Sequence, residues 1–243
     1  VINGAVYTTS IQSDGKIIAG GEFESIHSAF NRIARFNSDA SLDPSFNSGT
    51  GFSSTVYSTS IQLDGKIIVG GGFASFNGAY VNRIARLNSN GTLDPTFNLG
   101  TGFNNSVFTT SIQNDGKIIV GGSFTFYNGV PIKSIVRLNS DGSIDATFNP
   151  GTDFNYHVHT TSIQSDGKII IGGSFTLFNG TIINRIARLN TDGSLDVAFN
   201  PGTGFDNIVY TISLQSDGKI IVGGNFTSFD GTSINRFARL NTD

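Results

Sequence analysis

The chain has 243 residues, 37% of them hydrophobic and 21 of them phenylalanine, which is enough to form a buried core. A net charge of −3 without any basic run argues against nucleic acid as a partner, and no apolar stretch reaches the roughly 18 residues of a membrane span. Cysteine is absent, which excludes disulfides and thiolate metal sites. Methionine is absent even at position 1, so we expect the chain to be part of a longer, processed protein.

The tripeptide Asp-Gly-Lys recurs every 50 or 51 residues, at Asp14, Asp64, Asp115, Asp166 and Asp217. A fixed period of this length indicates an array of identical small modules. We expect one closed array and a single domain covering residues 1–243. Its five units are expected at about 5–48, 55–99, 106–150, 157–201 and 208–243.

The third repeat shows the elements of one unit in chain order. β-rich runs at 107–113, 117–124, 135–139 and 143–148 predict four strands, which we name A, B, C and D. Asn-Asp-Gly at 114–116 and Ser-Asp-Gly at 140–142 predict turns, and Asn128-Gly129 predicts a tight hairpin. Four short antiparallel strands are typical of a propeller blade.

The position of proline orders these strands within a blade. Pro44 and Pro95 fall inside strand D, and proline is tolerated at the edge of a sheet but not in its middle. Strand D is therefore expected at the outer edge, with strand A at the axis. The sequence predicts an all-β, five-bladed β-propeller with four antiparallel strands per blade, the last blade lacking its outer strand.

The Ser-Asp-Gly turns also set the register between strands C and D. With glycine in the left-handed position of a three-residue loop, an arginine of strand C lies opposite an aspartate of strand D. Opposite charges placed in this way attract each other. We predict repeated structural ion pairs, which are Arg35–Asp43, Arg86–Asp94, Arg137–Asp145 and Arg188–Asp196. Ala40 replaces the turn glycine in the first repeat and is expected to strain that turn.

Three motifs occur together in the repeats: Asp-Gly-Lys-Ile-Ile-Val-Gly-Gly-x-Phe, Asn-Arg-Ile-Ala-Arg-Leu-Asn and Asp-Gly-Ser-Leu-Asp-x-x-Phe. In these motifs the chain resembles the delta-sixty repeat family over essentially its whole length. The resemblance implies a bacterial propeller repeat found in large secreted or surface proteins, often with adhesion-like architecture. It implies no catalytic residues.

Several motifs that could bind a ligand or take part in catalysis are better explained as structural features. The Gly-Lys pairs lack the context of a phosphate loop and indicate a turn with an exposed lysine. The segment 139–145 resembles a calcium loop faintly but lacks the terminal glutamate, so turn chemistry explains it. Glu22 and Glu24 share a strand face and could form an acid–base pair, although a solvated strand end is the favoured interpretation.

The histidines are the other candidates. His157 and His159 lie two apart and could supply two zinc ligands, but the sequence shows no third. His159 occupies a slot that is aromatic in every other repeat, which favours a ring at a packing position. His27 is expected at the surface. We expect no metal site and no cofactor.

The repeated surface carries the predicted function. The strand order places the B–C turns and D–A loops on one face of the disk, where aromatic rings and amides suit sugars. The residues predicted to bind ligand are Phe52, Phe103, Phe154, Phe205, Asn77, Asn104, Asn128, Asn155 and Asn179. The alternative is that these phenylalanines fill gaps between blades and the asparagines only shape turns.

The predicted function is a non-enzymatic binding module of an extracellular or cell-surface protein. Up to five equivalent weak carbohydrate or adhesion sites would act together through multivalency. The alternative is a structural or protein-interaction bead, so the expected partners are glycans or another surface protein. An enzyme ranks last, because catalysis needs one unique constellation and the repeats differ little.

Overall fold

The computed structural model describes residues 2–25, 31–98, 100–151 and 154–242, and all regular structure in them is β-strand. The strands of the first two blades are β1 (Ile2–Asn3), β2 (Val6–Ile11), β3 (Ile17–Ser25), β4 (Asn31–Phe36), β5 (Val56–Ile61), β6 (Ile67–Gly71), β7 (Ser75–Phe76), β8 (Ala79–Tyr80) and β9 (Ile84–Leu87). Those of the third blade are β10 (Val107–Ile112), β11 (Ile118–Gly122), β12 (Phe126–Tyr127), β13 (Val130–Pro131) and β14 (Ile135–Leu138).

The last two blades repeat the pattern of the third. Their strands are β15 (Val158–Ile163), β16 (Ile169–Gly173), β17 (Leu177–Phe178), β18 (Thr181–Ile182), β19 (Ile186–Leu189), β20 (Val209–Leu214), β21 (Ile220–Gly224), β22 (Ser228–Phe229), β23 (Thr232–Ser233) and β24 (Phe237–Leu240). No helix in the described part of the chain is long and apolar enough to cross a bilayer.

Each blade is an antiparallel sheet of strands A, B and C, with B in the middle. In the third blade these are β10, β11 and β14, and the β12–β13 hairpin lies between B and C. Asn128 and Gly129 form its tip with φ of 50° and 77°, as predicted for a tight hairpin. The predicted five-bladed β-propeller is therefore confirmed.

Strand D is shorter than predicted. It is reduced to one bridge in each of the first four blades, such as Leu138 with Ile144 in the third. Beyond that bridge the chain turns, because Asp145 accepts hydrogen bonds from the backbone of Thr147 and from the amide of Phe148. In the second to fifth blades the sheet thus has three regular strands, while the sheet of the first blade has a fourth, because β1 pairs with β3. The described residues of the fifth blade lack the strand D bridge.

The core lies between blades rather than within them. One cluster joins Ile18, Ile33 and Phe46 of the first blade to strands of the second, and three equivalent clusters follow. A Cβ added at Gly20 would lie 2.5 Å from Cγ1 of Val56 in the next blade. The first glycine of the strand B pair therefore leaves room for the neighbouring blade, whereas a Cβ at the second, Gly21, would lie 2.1 Å from the carbonyl oxygen of Ala5 in its own blade.

The predicted closure of the array is wrong. Four blade–blade joints are formed, and neighbouring A strands pack side by side at each. Val56, Val107, Val158 and Val209 are fully buried in these joints, but Val6 in the first blade is 44% exposed. In the described residues the fifth blade does not pack on the first, so the blades form an open arc.

Candidate functional site: an aromatic arc at the axis

Strand A carries a β-bulge in all five blades. In the third blade Val107 pairs with Gly122 and Thr109 pairs with Gly121, so Phe108 is the extra residue. A bulge re-aims the side chain of the extra residue and is common beside functional sites. The extra residues are Tyr7, Tyr57, Phe108, His159 and Tyr210, and we call them the aromatic arc.

The rings of the aromatic arc touch from blade to blade. Successive ring centroids are 5.8 Å apart for Tyr7 and Tyr57, 5.5 Å for Tyr57 and Phe108, 5.1 Å for Phe108 and His159, and 5.5 Å for His159 and Tyr210. Because the A strands surround the axis, these contacts form one continuous aromatic wall there. Tyr7 is 51% exposed and Tyr210 47%, while the middle three rings are half-buried.

Polar side chains occupy the position after the Gly-Gly pair in four of the five blades, and Gly72 takes that position in the second. The hydroxyl of Tyr7 donates to Oε2 of Glu22 at 2.9 Å, and this bond and the nearby negative charge raise the pKa of Tyr7. Asn225 Nδ2 lies 3.4 Å from the hydroxyl of Tyr210. Oγ of Ser174 is buried and has no hydrogen-bond partner among the described residues.

His159 acts as an aromatic ring in this wall. Burial, together with the charge of His157, lowers the pKa of His159 to about 4. The imidazole is therefore neutral at pH 7, stacked on Phe108. Within the described ranges no three His, Asp or Glu side chains lie together as metal ligands, and His27 lies outside those ranges.

At the other end of strand A the axis opens into a cavity of about 610 Å³. Its apolar lining comes from Ile112, Ile163 and Leu214, the last residues of three A strands. At about 3.3 Å per residue, some 13 Å of strand separate Phe108 from Ile112. The two ends of strand A are thus chemically different, one lined by aromatic rings and the other by three aliphatic side chains among polar ones such as Gln164 and Asp217.

The four phenylalanines predicted to bind ligand are buried, which is a correction. Phe52, Phe103, Phe154 and Phe205 are 1–2% exposed. Phe103, for example, packs on Phe124 and Tyr127 with centroids 4.3 and 4.4 Å away. These rings join the D–A loop to the B–C hairpin inside the core and are not available to stack on a sugar.

The predicted asparagines hold loops together. The side-chain oxygens of Asn77 and Asn128 accept from the amides of Gly51 and Gly102, and Asn179 Nδ2 donates to the carbonyl oxygen of Pro150. The side-chain oxygens of Asn104 and Asn155 each accept hydrogen bonds from two backbone amides in the segment that follows strand B. For Asn104 these are the amides of Thr125 and Phe126. All five asparagine side chains therefore make hydrogen bonds that stabilise loops.

The predicted ion pairs are formed in four blades. The distances from arginine Nε to aspartate Oδ2 are 2.8 Å for Arg35–Asp43, 2.7 Å for Arg86–Asp94, 2.7 Å for Arg137–Asp145 and 2.6 Å for Arg188–Asp196. The Asp-Gly-Lys lysine was predicted to be exposed; the side chain of Lys66 is 30% exposed, and its Nζ lies 3.0 Å from the same oxygen of Asp94. The same contact is made by Lys16, Lys117 and Lys168.

The remaining candidates are turns or surface contacts. In the segment compared with a calcium loop, Asp141 Oδ1 accepts from the amide and hydroxyl of Ser143, as a turn requires. Glu22 and Glu24 bind different partners, Tyr7 and Arg32, so they do not act as a carboxylate pair.

The fold and its repeats define a β-propeller repeat protein. The family model of a β-propeller domain of unknown function, DUF5122, matches residues 12–46, 62–97, 113–148, 164–199 and 215–243. The chain belongs to this family. Comparison with curated proteins found no match.

Solved structures share the fold at low sequence identity. The WD40 β-propeller domain of Doa1 is 17% identical with a TM-score of 0.57, over 89% of this chain and 60% of that one. The extracellular domain of the hybrid two-component system BT3049 from B. thetaiotaomicron is 14% identical with a TM-score of 0.58, over 99% and 28%. Virginiamycin B lyase from Staphylococcus aureus is 14% identical with a TM-score of 0.52, over 98% and 69%. Because these neighbours include an enzyme, the shared fold does not decide between catalysis and binding.

Proposed function

We propose that this protein is a non-enzymatic, carbohydrate-binding module of a secreted or surface protein, and that the aromatic arc is its binding site. The observation that carries the proposal is the continuous wall of five rings, each touching the next, with Tyr7 and Tyr210 about half exposed and the three middle rings partly buried. Soluble proteins keep such apolar surfaces exposed mainly where something binds.

The chemistry of the arc suits a sugar. The C–H faces of a pyranose stack on aromatic rings, while its hydroxyl groups need hydrogen-bond partners nearby. Glu22 offers acceptors and Asn225 offers both kinds of group at the two ends of the arc. The neutral imidazole of His159 adds a ring without adding charge.

This proposal replaces five weak sites by one site at the axis, because the arc is continuous and the loop phenylalanines are buried. An extended oligosaccharide is the ligand that such a wall favours, since several rings can stack on successive sugar units. The resemblance of the repeats to the delta-sixty family and the extracellular domain among the structural neighbours support a secreted or surface location.

The test is a glycan array followed by titration of each hit, observed by tyrosine fluorescence. The chain has no tryptophan, so its six tyrosines dominate the emission. Phe108→Ala removes the central ring, and we expect binding to weaken at least about tenfold, the equivalent of about 1.4 kcal/mol. Tyr57→Ala is expected to act in the same direction.

Tyr80→Ala is the matched control. Tyr80 is 86% exposed but lies in the β7–β8 hairpin, away from the axis. Its replacement is expected to leave glycan affinity unchanged. Equal losses in all three variants, or no glycan bound at millimolar concentration, would contradict the proposal.

A further inference from the structure

The position after the Gly-Gly pair differs from blade to blade, although its neighbours in the sequence do not. Between the constant Gly-Gly pair and the constant phenylalanine that follows, the five repeats have Glu22, Gly72, Ser123, Ser174 and Asn225. Because the imidazole of His159 is neutral at pH 7, Glu22 is the one side chain of this row and of the aromatic arc that carries a charge. The aromatic arc therefore has a negative end in the first blade and an uncharged remainder.

The carboxylate of Glu22 is held beside the aromatic arc and keeps one oxygen free. The hydroxyl of Tyr7 donates to Oε2 at 2.9 Å, whereas Oε1 accepts no hydrogen bond within the described ranges. Glu22 is exposed, so a bound molecule can reach Oε1. Arg32 does not neutralise this carboxylate, since its guanidinium donates to the carbonyl oxygen of Phe52 at 2.7 Å and lies 3.4 Å from Glu24.

Two aromatic rings lie next to this carboxylate. The ring centroids of Tyr7 and Tyr57 are 5.8 Å apart and their planes are inclined by 55°. Gly72 has the place of Glu22 in the second blade, and a Cβ built there would lie 3.6 Å from Cε2 of Tyr57, so no side chain occupies the space beside this ring. The faces of aromatic rings attract cations, and a carboxylate adds an opposite charge. Two inclined rings, a free carboxylate oxygen and open space between them suit an ammonium group.

We propose that the first-blade end of the aromatic arc binds an ammonium group, and that the ligand of the arc is an oligosaccharide of unacetylated amino sugars. This inference rests on the proposed carbohydrate-binding function and names the class of sugar. The ammonium group contacts the rings of Tyr7 and Tyr57 and donates to Oε1 of Glu22, while further sugar units stack on Phe108 and His159. An N-acetylated sugar does not fit in the same way, because acetylation removes the positive charge.

The experiment compares a glucosamine oligosaccharide with its fully N-acetylated counterpart, each titrated into the full chain in a calorimeter. We expect the amino form to bind at least about tenfold more tightly, the equivalent of about 1.4 kcal/mol. This preference should shrink as the salt concentration rises, because salt screens exposed charges. Glu22→Gln keeps the acceptor for Tyr7 but removes the charge. It is expected to abolish the preference and to leave the affinity for the acetylated form unchanged.

Glu24→Gln is the matched control. It makes the same change in charge two residues further along the strand, at a carboxylate that pairs with Arg32 and not with the aromatic arc. This variant is expected to keep the preference for the amino form. A preference that falls equally in the Glu22 and Glu24 variants would mean that a polycation is attracted to an acidic protein without a site, and it would overturn the inference.

Phe108→Ala separates this inference from the proposed function. Equal affinity for the two oligosaccharides, weakened by Phe108→Ala, overturns the ammonium site and leaves the aromatic arc as a carbohydrate site. Binding of neutral glycans by the arc, with no binding of the glucosamine oligosaccharide, has the same meaning. If no glycan binds, or if Phe108→Ala changes no affinity, the proposed function and this inference fail together.

Discussion

At the residue scale, one arginine in each of the first four blades links parts of the structure that are distant in the sequence. Nε of Arg86 donates to Asp94 and its Nη2 to Thr96, while its Nη1 donates to the carbonyl oxygen of Ser140 in the next blade. The guanidinium also lies 4.8 Å from the ring centroid of Phe97. Each nitrogen of this buried guanidinium thus donates a hydrogen bond, and a buried ion pair is tolerated only when its polar groups are satisfied in this way.

Replacing Asp94 tests this arrangement. Asp94→Asn removes the charge that faces Arg86 and Lys66, and we expect a loss of about 2–3 kcal/mol in the free energy of unfolding. For a chain of this size the melting temperature should fall by roughly 4–12 °C. Asp64→Asn is the control, because Asp64 is exposed and its Oδ1 accepts the amide of Lys66 as an asparagine oxygen also can. An equal effect in both variants would contradict the account.

The same carboxylates predict how stability depends on pH. Burial raises the pKa of Asp94, but hydrogen bonds from Thr96, Lys66 and Arg86 outweigh it and hold the pKa well below its usual range. A carboxyl whose pKa is lowered on folding stabilises the protein fully above its unfolded pKa of about 3.9 and loses that effect as pH falls. The difference in melting temperature between the unmodified chain and Asp94→Asn should be constant from pH 7 to about 5 and shrink below about pH 4. A difference that grows in acid would contradict it.

Ala40 gives a second test at this scale. Its φ is 66°, in the left-handed region that costs a non-glycine residue roughly 1 kcal/mol, and the other C–D turns described here have glycine at this place. Ala40→Gly is expected to stabilise the protein by about 0.5–1 kcal/mol in chemical denaturation. Gly91→Ala is the reverse change, and its Cβ would also lie 3.0 Å from the amide nitrogen of Asn47. It should destabilise the protein, and changes of the same sign in both variants would contradict this explanation.

At the scale of elements, the blade joint depends on strand B having no side chain where the next blade's valine packs. A Cβ at Gly121 would lie 2.6 Å from Val158 Cγ1, so Gly121→Ala is expected to lower the melting temperature. Adding Val158→Ala should make the two changes less costly than their sum, since the smaller side chain removes the contact with Val158 and leaves the one with Thr109 Cγ2, at 2.7 Å. Strict additivity in this double-mutant cycle would show that the valine is not the obstacle.

The strands that the sequence predicted correctly are those with period-two patterns and clear turns. Strands A, B and C and the Asn-Gly hairpin fall within a few residues of their expected places. The length of strand D was predicted wrongly because its hydrogen bonds are local. Asp145 accepts hydrogen bonds from the amides of Thr147 and Phe148, so the chain turns after Ile144. The shared aromatic slot of His159 was visible in the sequence, but only the bulge register shows that these rings line the axis.

At the scale of the whole molecule, five similar repeats establish what a blade is but not whether the ring closes. Closure depends on the angle between blades, which arises from small packing differences at each joint. This angle cannot be read from the repeat sequence. The exposed Val6 and Phe237 show that the first and fifth blades do not meet. The open arc leaves Tyr7 and Tyr210 as the two most exposed rings of the aromatic arc.

The central claim is that the aromatic arc holds the ligand, and NMR of tyrosine-labelled protein titrated with the best glycan tests it most directly. Six tyrosines give a small set of ring signals: Tyr7, Tyr57 and Tyr210 lie in the arc, while Tyr80 and the buried Tyr127 lie away from it. The account predicts shifts in the three arc tyrosines that saturate together, with Tyr80 and Tyr127 unchanged. Binding that shifts Tyr80 and leaves the arc tyrosines unmoved would contradict it.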